Sequence, residues 1–481
     1  MVIPTGYPTS PKLVWDYFHQ ITTLPRPSKH EDRFREFILQ EAKKLNLKTH
    51  VDQVGNVIVY VPASPGDETK ETVIIQNHMD MVTDALPEKK INFLTDAIET
   101  YVEGDWLKAK GTTLGADNGI GCAAALALMS DRTLKHPALE LLFTIDEETG
   151  LKGAWGVEAS ALKGRRMLNL DTEEWGSLYI GCAGGIDYDF QKDFTLTKSK
   201  FNSTYKLTVS GFLGGHSGVD IHEQRGNAIK FLHEWLSELG DGIEICELRG
   251  GKAHNIIPRD AFAIINAKNS EGFEKKGQEL IKKWKAYLPQ NDQKLEIKVD
   301  AEDTREEVVG SQDRKLVLNF LSLFPHGAHS FDLASGGELV SLSNNLAICL
   351  LVNGKFYLQT SLRFFDRQEC ESLERKIRSL ADVFQMELKK NGEYPSWKPV
   401  RENKLLDFVI KRHETLFGRT PKVTAIHAGL ECGILRDKIG PIDVVSFGPT
   451  IMGAHSPQER VEISTVEKFW FLLKDTLENL Q

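Results

Sequence analysis

The sequence has no paired cysteines. Its six cysteines are scattered singly, without a CxxC pair. This scatter is typical of reduced thiols in a cytoplasmic protein, whereas a disulfide framework is built from regular pairs. No window approaches the roughly 20 apolar residues of a membrane-spanning helix, and no apolar stretch of signal-peptide length opens the chain. We therefore predict a cytoplasmic protein without a membrane partner.

An excess of positive charge is also absent. The chain carries 59 Lys and Arg against 68 Asp and Glu, which gives a net charge of −9 at pH 7. Neutralising a phosphate backbone requires a surplus of basic side chains, and this chain has none. We therefore expect no nucleic-acid partner.

The composition is that of an ordinary globular protein, with 41% hydrophobic and 26% charged residues. A length of 481 residues allows roughly two or three domains. Short apolar runs, such as residues 139–145 and 167–170, alternate with stretches of helical periodicity, the longest being a predicted helix over 119–129. Such alternation is typical of an α/β domain with a mostly parallel central sheet.

The pattern changes after the glycine-rich residues 181–185. Alternating strands are then separated by long amphipathic helices, which indicates an α+β domain, and the α/β pattern resumes after the proline-rich residues 394–399. We therefore predict a discontinuous α/β domain formed by residues 1–187 and 393–481, with an α+β domain of residues 188–392 inserted into it.

Side chains that bind metals follow the predicted strands of the α/β domain. Because ligands of open α/β sheets bind beyond the carboxyl ends of the strands, these side chains can converge on one crevice. Taken singly, each acid is more often a helix cap or a turn residue, and Asp117 would cap a helix well. Their number favours a shared metal site. The residues concerned are His78, Asp117, Glu147, Glu148, Asp171 and His455.

The types of these residues indicate the metal and the chemistry. Two histidines with several carboxylates suit zinc or a similar divalent ion, and acids in excess of one ion's needs suggest two ions in a hydrolytic site. Neighbours in extended chain point in opposite directions, so Glu147 and Glu148 are interpreted as one ligand and one general base. Asp80, two residues after His78, lies on the same side and can orient the imidazole ring.

Eight segments of the sequence resemble the M20 family of metallopeptidases, and within it the aminoacyl-histidine dipeptidases. The resemblance extends over nearly the whole chain. The segments are residues 78–81, 111–119, 147–148, 169–171, 214–218, 427–433, 448–450 and 455–457.

The resemblance implies a zinc-peptidase catalytic domain with two divalent ions, zinc with cobalt or manganese as alternatives. Asp117 would bridge the ions, His78 and Asp171 would complete one, and Glu148 and His455 the other. The resemblance also implies a cis peptide bond between Asp117 and Asn118.

The family's mechanism would give Glu147 the role of general base. It would take a proton from a water of lowered pKa and return it to the leaving amine. An Asp at position 171, where other branches tend to have Glu, implies substrates with a free amino group. The predicted reaction is therefore hydrolysis of unblocked dipeptides, with Xaa-His dipeptides such as carnosine as the expected substrates.

In the inserted domain, the resemblance implies a lid and a dimerisation surface, and hence a homodimer. His216 resembles the histidine that stabilises the oxyanion, in its own chain or across the dimer. Asn255 and Arg363 resemble residues that hold the substrate carboxylate, for which an arginine fork is well suited. His427 and Glu431 are candidates for lining the pocket or for a structural role, and residues 327–330 are interpreted as a loop.

Two other functions stay open at this point. One is an amidohydrolase of the same fold that acts on N-acyl amino acids, which cleavage of a blocked substrate would indicate. The other is a peptide-binding relative without catalysis, which zinc binding without turnover would indicate. The presence of every ligand and of Glu147 favours the dipeptidase.

Overall fold

The computed structural model describes residues 3–335 and 337–481. Its α-helices are α1 (Lys12–Ile21), α2 (Asp32–Lys44), α3 (Ala116–Ser130), α4 (Lys152–Gly156), α5 (Ala228–Leu239), α6 (Phe273–Lys285), α7 (Ser311–Leu323), α8 (Arg367–Phe384), α9 (Lys404–Phe417), α10 (Glu431–Ile439) and α11 (Ile463–Asn479). None of the helices in this part of the chain combines the length and apolar character needed to span a bilayer.

The described part of the chain also contains 25 strands. They are β1 (Lys48–Val51), β2 (Val57–Val61), β3 (Val73–His78), β4 (Thr100–Glu103), β5 (Trp106–Ala109), β6 (Leu139–Thr144), β7 (Arg166–Asn169), β8 (Ser177–Cys182), β9 (Gly184–Asp193), β10 (Leu196–Lys198), β11 (Ser203–Ser210), β12 (Gly215–His216), β13 (Ile243–Gly250), β14 (Ile256–Ile257), β15 (Ala261–Ala267), β16 (Glu296–Glu302), β17 (Glu307–Val309), β18 (Gly327–Asp332), β19 (Leu339–Val352), β20 (Lys355–Phe364), β21 (Glu387–Tyr394), β22 (Lys422–Ile426), β23 (Asp443–Ser446), β24 (Ile451–Met452) and β25 (Arg460–Glu462).

The chain divides into two compact units. Unit 1 comprises the chain through Gly181, then Pro399–Ala425 and Leu430–Gln481, and unit 2 comprises Cys182–Lys398 and Ile426–Gly429. The predicted inserted domain, residues 188–392, lies within unit 2. Its roles as a lid and a dimerisation surface stay predictions.

Unit 1 is built on an eight-stranded sheet of order β1-β2-β6-β3-β7-β23-β8-β22. The central strands β6, β3, β7 and β23 are parallel, whereas the pairs β1/β2, β2/β6 and β23/β8 are antiparallel. Every residue of β3 and β6 is buried, as is usual for the central parallel strands of an α/β sheet. The α/β prediction is confirmed, with parallel pairing confined to the centre of the sheet.

Unit 2 is built on a nine-stranded antiparallel sheet of order β16-β11-β15-β13-β19-β20-β9-β21, with β18 paired to β19. Helices α5 to α8 contribute to its core, for example through Trp235 and Phe320. This confirms the α+β prediction. The interpretation of residues 327–330 as a loop is wrong, because they form most of β18, whose pairing with β19 is set by residues further along the chain.

Candidate active site

Five of the predicted metal ligands converge in unit 1. His78 ends β3, Glu148 and Asp171 follow β6 and β7, and Asp117 lies in the first turn of α3. Asp117 Oδ1 is 3.1 Å from His78 Nε2, and Asp117 Oδ2 is 3.2 Å from His455 Nε2. The Asp117 carboxylate thus presents one oxygen to each histidine.

Each histidine has a second carboxylate beside it. His78 Nε2 lies 3.2 Å from Asp171 Oδ1, and His455 Nε2 lies 3.0 Å from Glu148 Oε2. The side chain of His78 is only 1% exposed, whereas that of His455 is 54% exposed. The result is two ligand groups that share Asp117, one buried and one open on the His455 side.

The start of α3 explains how Asp117 reaches both histidines. The Asp117–Asn118 peptide bond is cis, as the resemblance implies. Asp117 has φ −79° and ψ 116°, outside the helical range, and its two carboxylate oxygens lie beside the two histidines. The geometry of Asp117 therefore does not match the alternative in which it only caps a helix.

The donor set fits divalent metal ions. The groups His78/Asp117/Asp171 and Asp117/Glu148/His455 each place their ligand atoms within 4.8 Å of one another. Imidazole nitrogens with carboxylate oxygens are ligands that zinc accepts. Among the described residues, the buried Glu148 Oε1 has no hydrogen-bond partner, which a cation would provide.

The charges in this cluster shift its ionisation equilibria. Hydrogen bonds with Asp117 and Glu148 raise the pKa of His455 to about 11. Burial would lower the pKa of His78, but Asp171, Asp117 and Asp80 together raise it well above its usual value. Burial raises the pKa of Glu147 well above that of an exposed glutamate. The clustered carboxylates therefore favour positive charge in this site.

The relation between Glu147 and Glu148 differs from the expectation. Both belong to one group with His78, with ligand atoms within 4.8 Å of one another. The preceding Asp146 has a φ of 48°, so the segment turns and the two side chains do not point in opposite directions. The geometric argument for dividing their roles is wrong, because it assumed extended backbone.

Asp80 connects His78 with this acidic pair. Its Oδ1 lies 3.4 Å from His78 Nδ1, on the side that the sequence spacing predicts. The backbone N–H groups of Glu147 and Glu148 donate to Asp80 at 3.0 and 3.1 Å, and the Ser28 hydroxyl donates at 2.7 Å. One carboxylate therefore lies beside the imidazole ring and accepts hydrogen bonds from the backbone of the two glutamates.

The other predicted site residues lie together in unit 2. Arg363 on β20 is 5% exposed, and its Nη2 lies 3.4 Å from His216 Nε2. Asn255 is adjacent to β14, which pairs with β12, and its carbonyl accepts a hydrogen bond of 2.8 Å from Ser217 N. Arg363 Nη1 also donates to the Tyr394 hydroxyl at 3.1 Å. We call Arg363, His216, Asn255 and Tyr394 the unit 2 cradle.

Arg363 is a buried cation without a counterion in the described part of the chain, where no carboxylate lies within 4.0 Å of its guanidinium. Burying a charge is costly unless an opposite charge accompanies it. His216 Nδ1 accepts the N–H groups of Gly218 and Val219 at 3.3 and 3.1 Å. The cradle thus presents hydrogen-bond donors suited to an anion.

Comparison with known proteins agrees with this geometry. The model of peptidase family M20/M25/M40 matches residues 74–479. The chain belongs to this family. The cytosol non-specific dipeptidase of Escherichia coli (strain K12) is 34% identical over 481 residues, which cover 98% of each chain.

Solved structures show the same M20 architecture. Aminoacylhistidine dipeptidase from Vibrio alginolyticus is 35% identical, with a TM-score of 0.84 over 98% of this chain and 97% of that one. Aminopeptidase PepT from Bacillus cereus shares the fold at 14% identity, with a TM-score of 0.57 over 98% of each chain.

Two residues that support the site of this M20 peptidase escape sequence reasoning. Glu459 is 3% exposed, and its carboxylate accepts the N–H groups of Leu114, Gly115, Ala116 and Asp117 at 2.7 to 3.2 Å. No local spacing reveals this role, because the donors lie more than 340 residues earlier.

The role of Arg26 also cannot be predicted from the local sequence. Arg26 is 2% exposed and donates to the carbonyl oxygens of Met79 and Asp80 at 2.9 and 2.7 Å, and also to that of Gly115. It therefore joins the end of β3 to the start of α3, the two places from which His78 and Asp117 project.

Glu431 and His427, for which both a pocket-lining and a structural role were open, are buried. Glu431 accepts hydrogen bonds from Gln76 Nε2 at 2.7 Å and Ala154 N at 3.1 Å, and burial raises its pKa to about 8. His427 Nε2 lies 2.8 Å from the Ser343 hydroxyl oxygen, and burial lowers its pKa to about 3. These contacts favour the structural alternative for both residues, which stays a prediction.

Proposed function

We propose that this M20 peptidase is a metal-dependent dipeptidase that hydrolyses unblocked dipeptides, with Xaa-His dipeptides such as carnosine among its substrates. The names of its relatives in Escherichia coli and Vibrio alginolyticus support this proposal. The observation that carries it is the Asp117 carboxylate between two histidines, each with a second acid, which is a ligand set for two ions.

In this proposal His78 and Asp171 would hold one ion, Glu148 and His455 would hold the other, and Asp117 would contribute to both. Zinc fits the ligand types best, with cobalt and manganese as alternatives. When bound, the ions would polarise the scissile carbonyl and lower the pKa of a water molecule. Asp80 would keep His78 in the tautomer and orientation that ligation requires.

Glu147 is the proposed general base. Its raised pKa matches a group that takes a proton from water and returns it to the leaving amine. Glu147 is suited to holding that proton because its side chain lies among other acids in a desolvated site.

The unit 2 cradle is proposed to bind the carboxylate end of the dipeptide. Arg363 and Asn255 would hold the carboxylate, and the ring of His216 would stabilise the oxyanion of the tetrahedral intermediate. We propose that His216 does so in its own chain or across a homodimer, with unit 2 as the lid and dimerisation domain. A cytoplasmic location also stays a prediction.

The test is the release of histidine from carnosine, and of amino acids from plain dipeptides, by the purified protein with added zinc. We expect cleavage of free dipeptides that a chelator abolishes and zinc restores, and no cleavage of N-acetylated dipeptides. Cleavage of N-acyl amino acids alone would show an amidohydrolase instead. Zinc binding without turnover of any peptide would show a non-catalytic relative.

A further inference from the structure

The sheet of unit 2 carries a gap beside Arg363. Arg363 on β20 is paired with Gly185 on β9, and Gly185 is in turn paired with Tyr394 on β21. The three residues form one row across neighbouring strands, which lie about 4.8 Å apart, so Arg363 and Tyr394 belong to strands that do not touch. The missing side chain at Gly185 leaves the space between them open.

The phenol ring of Tyr394 fills this gap. A Cβ atom added at Gly185 would lie 2.4 to 2.5 Å from Cε1, Cζ and the hydroxyl oxygen of Tyr394. A Cβ atom at Gly429 would lie 3.0 Å from Cε2 on the other side of the ring. Two glycines therefore form a slot that directs the ring across β9 towards Arg363.

The Tyr394 hydroxyl hydrogen has no acceptor in the described part of the chain. Among the described residues, the hydroxyl of Tyr394 has Arg363 Nη1 as its hydrogen-bond partner, at 3.1 Å. A guanidinium only donates, so the phenol accepts this bond and keeps its own hydrogen for another acceptor. That hydrogen lies beside a buried cation that has no carboxylate of the described chain within 4.0 Å.

We propose that Tyr394 is a substrate-binding residue that donates its hydroxyl hydrogen to the dipeptide's terminal carboxylate, next to the Arg363 guanidinium. This rests on the proposed function and deepens it. A carboxylate accepts several hydrogen bonds, so a charged fork and a neutral phenol can bind it together. The phenol also favours a free carboxylate over a C-terminal amide, because the amide has an N–H₂ donor where the carboxylate has its second anionic oxygen.

The test compares Tyr394→Phe with wild type on alanyl-histidine and on its C-terminal amide. We expect KM for the free dipeptide to rise about tenfold, as for loss of a hydrogen bond to a charged group, with little change in kcat. KM for the amide should stay as in wild type. The matched control is Tyr357→Phe, which removes a 3.0 Å phenol hydrogen bond to Asp189 from β20 of the same sheet.

A double-mutant cycle with Arg363→Met separates direct binding from positioning of Arg363. If Tyr394 contacts the carboxylate, Tyr394→Phe still weakens binding when Arg363 is absent. If the loss disappears in the Arg363→Met background, Tyr394 acts only through Arg363 and the proposal fails. Equal KM values for Tyr394→Phe and wild type also overturn it.

A binding experiment separates this proposal from the proposed function. Calorimetry on the zinc-loaded protein measures the affinity for an alanyl-histidine analogue with a reduced peptide bond, in its carboxylate form and in its C-terminal amide form. Absence of dipeptide turnover contradicts the proposed function alone. A Tyr394→Phe protein that binds the carboxylate form less tightly than wild type, while the two bind the amide form equally, supports Tyr394 in either case. A wild-type protein that does not distinguish the two forms overturns the role of Tyr394.

Discussion

Glu147 and Glu148 are adjacent, yet the proposal gives them different roles that substitution can separate. We predict that Glu147→Gln lowers kcat by on the order of 10²- to 10⁴-fold, the usual effect of losing a general base, while two metal ions remain bound. Glu148→Gln serves as the contrast and should lower the metal content, measured by elemental analysis. Loss of metal in both variants would contradict the division of roles.

His427 gives a residue-scale prediction of pH dependence. Burial, together with Arg363, lowers the pKa of His427 to about 3, whereas an unfolded histidine titrates near 6.5. Between these values the unfolded state binds more protons, so the free energy of unfolding falls as the pH falls, by about 1.4 kcal/mol per pH unit at most. We predict that the melting temperature difference between wild type and His427→Gln shrinks from pH 6.5 to pH 4.

Ser343→Ala is the control for this experiment, because it removes the hydrogen-bond partner of His427 but keeps the titratable ring. We expect it to retain the downward slope with falling pH. A difference between wild type and His427→Gln that is constant over this pH range would show that the buried ring does not resist protonation.

At the scale of residues, the sequence predicts correctly those candidate site residues that lie at the carboxyl ends of parallel strands. The convergence of His78 and Asp171 follows from two parallel strands that end at the same edge of a sheet. Sequence reasoning fails for Glu459 and Tyr394, because their roles depend on contacts with distant segments, and for the Glu147–Glu148 pair, because one residue with positive φ redirects the chain.

At the scale of elements, the loop that leads into α3 depends on Glu459. Its carboxylate accepts four consecutive backbone N–H groups and so fixes the approach to Asp117. We predict that Glu459→Gln, which turns an amide N–H₂ towards these donors, weakens zinc binding about 10- to 100-fold, as measured by competition with a chelator.

Glu140→Gln is the matched control for this prediction. Glu140 is also buried in unit 1 and accepts the backbone N–H groups of Lys163 and Gly164, away from the ligand groups. It should lower thermal stability without changing zinc affinity. Equal zinc affinities for Glu459→Gln and wild type would mean that the loop keeps its conformation without the hydrogen bonds to the Glu459 carboxylate.

For the molecule as a whole, all the proposed metal ligands lie in unit 1. Ligands that bind the folded state stabilise the part that forms the site. We predict that chelation increases hydrogen exchange in β3, β7 and the start of α3, measured by mass spectrometry, while peptides from β19 and β20 keep their protection. The control is chelator saturated with zinc, and equal loss of protection in both units would contradict the prediction.

The four residues Ile426–Gly429 belong to unit 2 although unit 1 precedes and follows them in the chain. The polypeptide therefore changes unit four times, and His427 reaches its partner Ser343 from outside the main insertion. A chimera that exchanges only residues 182–398 with a relative would pair a foreign Ser343 position with the native His427. A chimera that replaces unit 2 with that of a relative should therefore also replace residues 426–429, as a second segment separate from residues 182–398.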